Sequence, residues 1–103
     1  MGNGKKQIRE EFRNAVFERD GNRCRKCGSA GKLDAHHITD RKEMPNGGYV
    51  LENGISLCEP CHEKAEVWHN SGKTDFVEGY HPNDLYLLIK SDHTLAYIKS
   101  LSL

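Results

Sequence analysis

The chain has no net charge, since 15 Lys and Arg are balanced by 15 Asp and Glu. It has no apolar run near the ~20 residues that a membrane-crossing helix needs. Its first residues, Met1-Gly2-Asn3-Gly4-Lys5-Lys6, lack the apolar stretch of a secretory leader. Only 36% of the residues are hydrophobic and 8% aromatic, with a single Trp. Each absence excludes something. Without a span the chain is not a helical membrane protein, and without a leader it is expected in a reducing cytoplasm, where paired cysteines bind metal more often than they form disulfides. With so little apolar material in 103 residues, one small domain (1–103) is expected, and its limited core calls for an added staple. No internal repeat of structural length is present.

The zero net charge hides an asymmetry. Residues 1–42 carry 11 Lys/Arg against 6 Asp/Glu, and residues 43–103 carry 4 against 9. A basic half can meet phosphates while an acidic half faces away, although such an imbalance also suits solvated helices.

Residues 1–4 are expected to be disordered. From Lys5 to Arg19 the apolar residues Ile8, Phe12, Ala15 and Val16 recur at helical spacing, and Asp20-Gly21 should end the helix. This helix reads as a packing element with a solvated basic face. Leu33–Ile38 reads as a strand, and residues 39–48 as a loop in which Arg41 and Lys42 are candidates for phosphate contact. Tyr49–Leu51 and Ile55–Leu57 read as further strands, with Asn53-Gly54 as a hairpin turn between them. A helix should begin at Glu59-Pro60 and end before Gly72. His62 and Glu66 share a face of it at i and i+4, Val67 and Trp68 should pack on the core, and His69 is assigned no function. Pro82-Asn83-Asp84 should open another helix with Leu85, Leu88 and Ile89 inward. A last one, about 92–101, should present Leu95, Ile98 and Leu101 to the core or to a dimer surface, capped by Asp92 or Ser91.

Four cysteines carry the strongest signal. Cys24-x-x-Cys27-Gly28 forms a knuckle in which both sulfurs can reach one ion, and Cys58-x-x-Cys61 repeats the spacing. Two such pairs predict a structural zinc, whereas a redox dithiol would need one pair in a thioredoxin-like setting. Four thiolates on a divalent ion leave a charge of about −2, which Arg23, Arg25 and Lys26 are placed to offset. Between the pairs stand His36 and His37, which on a strand point to opposite faces. A third histidine, His62, follows Cys61. Nucleoside deaminases need His-x-Glu before Pro-Cys-x-x-Cys, and two-histidine zinc fingers need His-x3–5-His; neither pattern fits.

Taken together, Cys24-x2-Cys27, His36-His37-Ile38, Gly47-Gly48, Asn53-Gly54-Ile55-x-Leu57 and Cys58-x2-Cys61-His62 closely resemble an HNH endonuclease of the cysteine-bearing type found in phage and bacterial genomes. The resemblance covers about residues 10–69. It implies an α+β fold: a treble-clef-like ββα-metal core stapled by the four-cysteine zinc and flanked by N- and C-terminal helices, the latter about 82–101. By position, His37 takes the place of the general base and Asn53 that of the residue orienting it. His36 and His62 take the places of ligands to one catalytic divalent metal (Mg, Mn, Ni or Zn). Glu66 stands where some members carry another ligand, though a surface carboxylate is the simpler reading. The implied activity is metal-dependent hydrolysis of DNA in a bacterial or phage-infected cytoplasm, with any phage packaging partner undefined. The competing reading is a non-catalytic zinc module that binds nucleic acid or protein.

Overall fold

The computed structural model describes residues 4–103. The disorder expected at residues 1–4 therefore lies outside the described residues, except at Gly4, which is already helical. Helix α1 (Gly4–Arg19) ends in a Schellman turn: Asn22 N–H donates to the Phe17 carbonyl (2.9 Å) and Gly21 N–H to that of Glu18 (3.2 Å), with Gly21 at φ +66°. A cysteine knuckle follows, and then strand β1 (Leu33–His37). Residues 38–53 form a long connection containing three short 3-10 turns, Arg41–Glu43, Pro45–Gly48 and Leu51–Asn53. Strand β2 (Gly54–Cys58) runs directly into helix α2 (Glu59–Asn70), and helices α3 (Pro82–Leu88) and α4 (His93–Leu101) complete the chain.

β1 and β2 pair antiparallel, from Leu33 opposite Cys58 to His37 opposite Gly54. This corrects the expected hairpin. Tyr49–Leu51 is not a strand, and Asn53-Gly54 is not a turn. Gly54 sits at φ −122°, ordinary extended backbone. Its glycine is required by space instead: a Cβ there would lie 2.5 Å from Val16 Cγ2 and 2.7 Å from Phe12 Cζ. α1 thus presses Phe12 and Val16 onto the sheet, while Ile8 and Ala15, expected on the same apolar face, are exposed. α2 packs against the sheet through Ala65 and Cys61.

The core joins Ile38, Ile55, Leu57 and Ala65 to Leu85, Tyr86 and Ala96 of the last two helices. α3 opens with a capping box in which His81 Nδ1 accepts from Asn83 N–H and Asp84 accepts from His81 N–H. Asp92, rather than Ser91, caps α4 by accepting from Leu95 N–H at 2.7 Å. α4 buries Ala96 and Ser100, not Leu95, Ile98 and Leu101, because small residues let it approach the 3-10 turns, where Asn46 Nδ2 donates to the Ser100 carbonyl. Among the described residues no helix is long and apolar enough to cross a membrane.

Candidate metal centre and hydrolytic cleft

The two knuckles meet at one end of the sheet. Gly28, at φ +80°, turns the first so that its N–H reaches the Cys24 carbonyl, and Arg25 N–H donates to the Ser56 carbonyl, tying this knuckle to β2. The second is the junction of β2 and α2. Cys27 Sγ lies 3.5 Å from Cys58 Sγ, and all four sulfurs lie within 4.8 Å of one another. Sulfurs at the corners of a tetrahedron with metal–sulfur bonds of about 2.3 Å would be about 3.8 Å apart, so the four fit a structural zinc. The opposite shifts of Cys24 and Cys61 fit as well. Burial would raise Cys24, but backbone N–H groups of Cys27, Cys58 and Lys26 outweigh it and hold the thiol down to about 6. Burial pushes Cys61 up to about 12, as expected where four sulfurs need a cation before all can ionise.

Tyr80 donates its hydroxyl to Cys61 Sγ (3.4 Å), and Lys26 Nζ lies 4.6 Å from the Tyr80 ring centre. Arg23 and Arg25, expected to offset the sulfurs, are otherwise engaged. Arg23 donates to the Gly28 carbonyl, and Arg25 binds the Asp20 carboxylate at 2.7 Å.

The histidines gather at the other end of β1. Strand alternation sends His36 toward α2 and His37 toward α1. His36 is buried, its ring centre 5.1 Å from His62 and 5.4 Å from His69. Glu66 Oε1 lies 3.0 Å from His62 Nε2 and 3.5 Å from His36 Nδ1. One ligand atom from each of His36, His62 and Glu66 falls within 4.8 Å of the others, so two imidazoles and a carboxylate could hold a divalent cation with open positions. The Glu66 hydrogen bonds to His36 and His62 hold its carboxyl well below the usual range, and the Glu66 bond raises His62. Burial lowers His36. A carboxylate in the set widens the acceptable metals toward Mn and Mg, which favour oxygen.

His37 lies on the opposite side of the strand end. Its ring stacks on Phe12 at 4.5 Å and meets the edge of Tyr49 at 4.8 Å. Its Nε2 is buried with no hydrogen-bond partner among the described residues. Burial, reinforced by His36 and Arg41, lowers it to about 4, so the imidazole is neutral at physiological pH. A cleft of about 380 Å³ brings His37 together with His36, His62, Glu66, Arg41 and Lys42.

Two placements add to the sequence reading. Asn53 is fully buried and does not line the cleft. Its Oδ1 accepts from Thr39 N–H (2.9 Å) and the Tyr86 hydroxyl (2.8 Å), and its Nδ2 donates to the Thr39 and Gly48 carbonyls. It clamps the connection that follows His37, and its own carbonyl accepts from Ile38 N–H at 2.9 Å. His69, given no function, lines the cleft, and its Nε2 donates to the His37 carbonyl at 3.3 Å. The spacing His62, Glu66, His69 (i, i+4, i+7) is one helix face, and following that face one turn further would have found it.

Residues 24–67 match the family model described as HNH endonuclease. No curated protein and no solved structure matches the chain. The matched segment holds both cysteine knuckles, both strands and the first turns of α2, which is the ββα arrangement with its cysteine cluster. Residues 24–67 are thus similar to an HNH endonuclease domain, and the four clustered cysteines are consistent with the cysteine-bearing type.

Proposed function

We propose that this protein is a metal-dependent endonuclease that hydrolyses phosphodiester bonds of DNA. The observation that carries the reading is the neutral, half-buried His37 beside the His36–His62–Glu66 set in one cleft. Hydrolysis requires a base for the attacking water, and an imidazole that is already unprotonated at physiological pH accepts that proton without first losing one. Phe12 and Tyr49 hold the His37 ring in place, and among the described residues no carboxylate or carbonyl bonds its buried Nε2 to stabilise a resting imidazolium. His36, His62 and Glu66 would hold the divalent cation, which when bound supplies Lewis-acid stabilisation at the phosphate and the leaving oxygen. Arg41 and Lys42, exposed at the cleft border, would attract phosphate. Asn53 acts as a positioning residue, fixing the backbone just after His37.

The test is supercoiled-plasmid nicking by wild type, His37→Ala and His37→Asn, with Mg, Mn, Ni or Zn added. Wild type should convert supercoiled to open-circle DNA in a metal-dependent way. Both variants should keep their circular dichroism and lose at least about 100-fold in rate, the usual worth of a general base. Equal activity in all three would remove His37 from the mechanism. A folded, zinc-bearing wild type without activity would favour the non-catalytic zinc module.

A further inference from the structure

A second feature joins helix α1, which precedes the matched segment, to residues 41–49 within it. Between the exposed side of α1 and residues 41–49 runs a groove of about 630 Å³, lined by Lys5, Arg9, Arg41, Lys42 and Tyr49 among others, with no Asp or Glu side chain among the described residues of its walls. A smaller cavity of about 240 Å³, which also includes Arg13 and His37, joins it to the histidine cleft. Arg41 lines all three spaces, so groove, cavity and cleft adjoin one another around its side chain.

The sequence makes this path at a cost. Lys5, Arg9 and Arg13 recur at i, i+4 and i+8, and like charges at that spacing destabilise a helix. Lys5 and Lys6 also oppose the dipole at the N-terminal end of α1. Phe12 and Val16, buried on the sheet, fix the rotation of α1 and keep this strip outward. An anionic partner would relieve the repulsion. From Lys5 to Arg13 the helix rises about 12 Å, three to four steps of duplex at about 3.4 Å each. Tyr49 accepts from Arg41 Nη1 at 3.0 Å and packs edge-on against Phe12, so the cation between groove and cleft is held in place. The cavity at the His69 border of the cleft is mixed in charge, with Asp40, Glu43 and Lys73 in its walls.

We propose that the α1 groove, with the smaller cavity beside it, binds the phosphate backbone of one arm of duplex DNA, with Lys5, Arg9 and Arg13 as the phosphate-binding strip. This rests on the nuclease reading. The test is the salt dependence of binding to a labelled duplex, by fluorescence anisotropy without added divalent ion. It compares wild type, the triple variant Lys5→Gln/Arg9→Gln/Arg13→Gln, and a control triple, Lys64→Gln/Lys90→Gln/Lys99→Gln, of equal charge change elsewhere.

The α1 variant should lose at least tenfold in affinity, and its plot of log K against log salt should be shallower by about 2 to 3, near 0.9 per lost contact. The control should match wild type. Nicking by the α1 variant should show a raised KM with kcat retained. All substituted residues are exposed; if the α1 triple does not fold, the single Arg9→Gln should still reduce the slope by about 1. An unchanged slope, or an equal change in both triples, overturns the groove while leaving the nuclease reading in place. A wild type that neither binds nor nicks DNA overturns both.

Discussion

Asp20 holds three parts of the chain with one carboxylate. Its side chain is fully buried, and it accepts from Arg19 (2.8 and 2.9 Å), Arg25 (2.7 Å) and Ser56 N–H (2.9 Å). Burial alone would raise its pKa, but these bonds outweigh it and the carboxyl lies below its ordinary value. The folded form therefore binds fewer protons near pH 4 than the unfolded chain does. The stabilisation is complete above the unfolded value of about 3.9 and is lost as pH falls through the lower folded value. Asp20→Asn should cost about 3 kcal/mol at pH 7, by removing the buried carboxylate charge that two arginines share. In urea unfolding the gap from wild type should narrow below about pH 4. A gap that is constant with pH would mean that the carboxylate charge contributes nothing. Neither Asp20 nor Asn53 could be assigned these partners from sequence alone. Asp20 read only as a helix stop and Asn53 as half of a turn, because their partners lie tens of residues away, Ser56 for one and Tyr86 for the other.

At the scale of elements, legibility followed locality. The knuckles, β1, α2 and the starts of α3 and α4 announce themselves through neighbouring residues: Cys-x-x-Cys, Pro60, Pro82, Asp92. The β1–β2 pairing does not, because residues 38–53 intervene. The same dipeptide that marks a tight turn in isolation here supplies a buried clamp and a gap for a helix. That gap can be tested. Gly54→Ala keeps an allowed backbone conformation but drives a methyl group into Phe12 and Val16. It should lower stability by about 1–3 kcal/mol, read as a lower urea midpoint at unchanged slope. Val16→Ala should recover part of that loss, with a coupling of at least about 0.5 kcal/mol between the two sites. Strict additivity would show that α1 does not press on the sheet at Gly54. At the candidate site, His36, His37 and His62 stand out for the same reason, since they sit within or beside local motifs, whereas Glu66 shares only a helix face with His62. His69 was missed because a single late-helix histidine carries no motif until the face it shares with His62 is followed.

The whole molecule is a thin sheet between two helices, with a sulfur cluster at one end and a histidine cleft at the other. Zinc bound by four cysteines contributes on the order of 10 kcal/mol in small domains, comparable to the entire stability of a chain this size. Cys58→Ser should therefore abolish the cooperative thermal transition. Mild chelation that strips only the histidine site should leave one zinc per chain by elemental analysis and an intact far-ultraviolet spectrum. A zinc-free, cooperatively folded Cys58→Ser protein would overturn the structural role of the cluster.

Cys61 and His62 are consecutive residues in the first turns of α2, and Cys27, exposed, lies 3.5 Å from Cys58. A peroxide that joins those two sulfurs would remove half the grip on a zinc held there and loosen the turn that aims His62. Air-aged protein would then lose its cleft with every imidazole chemically intact. A reductant together with zinc would restore it, and fresh magnesium or manganese would not.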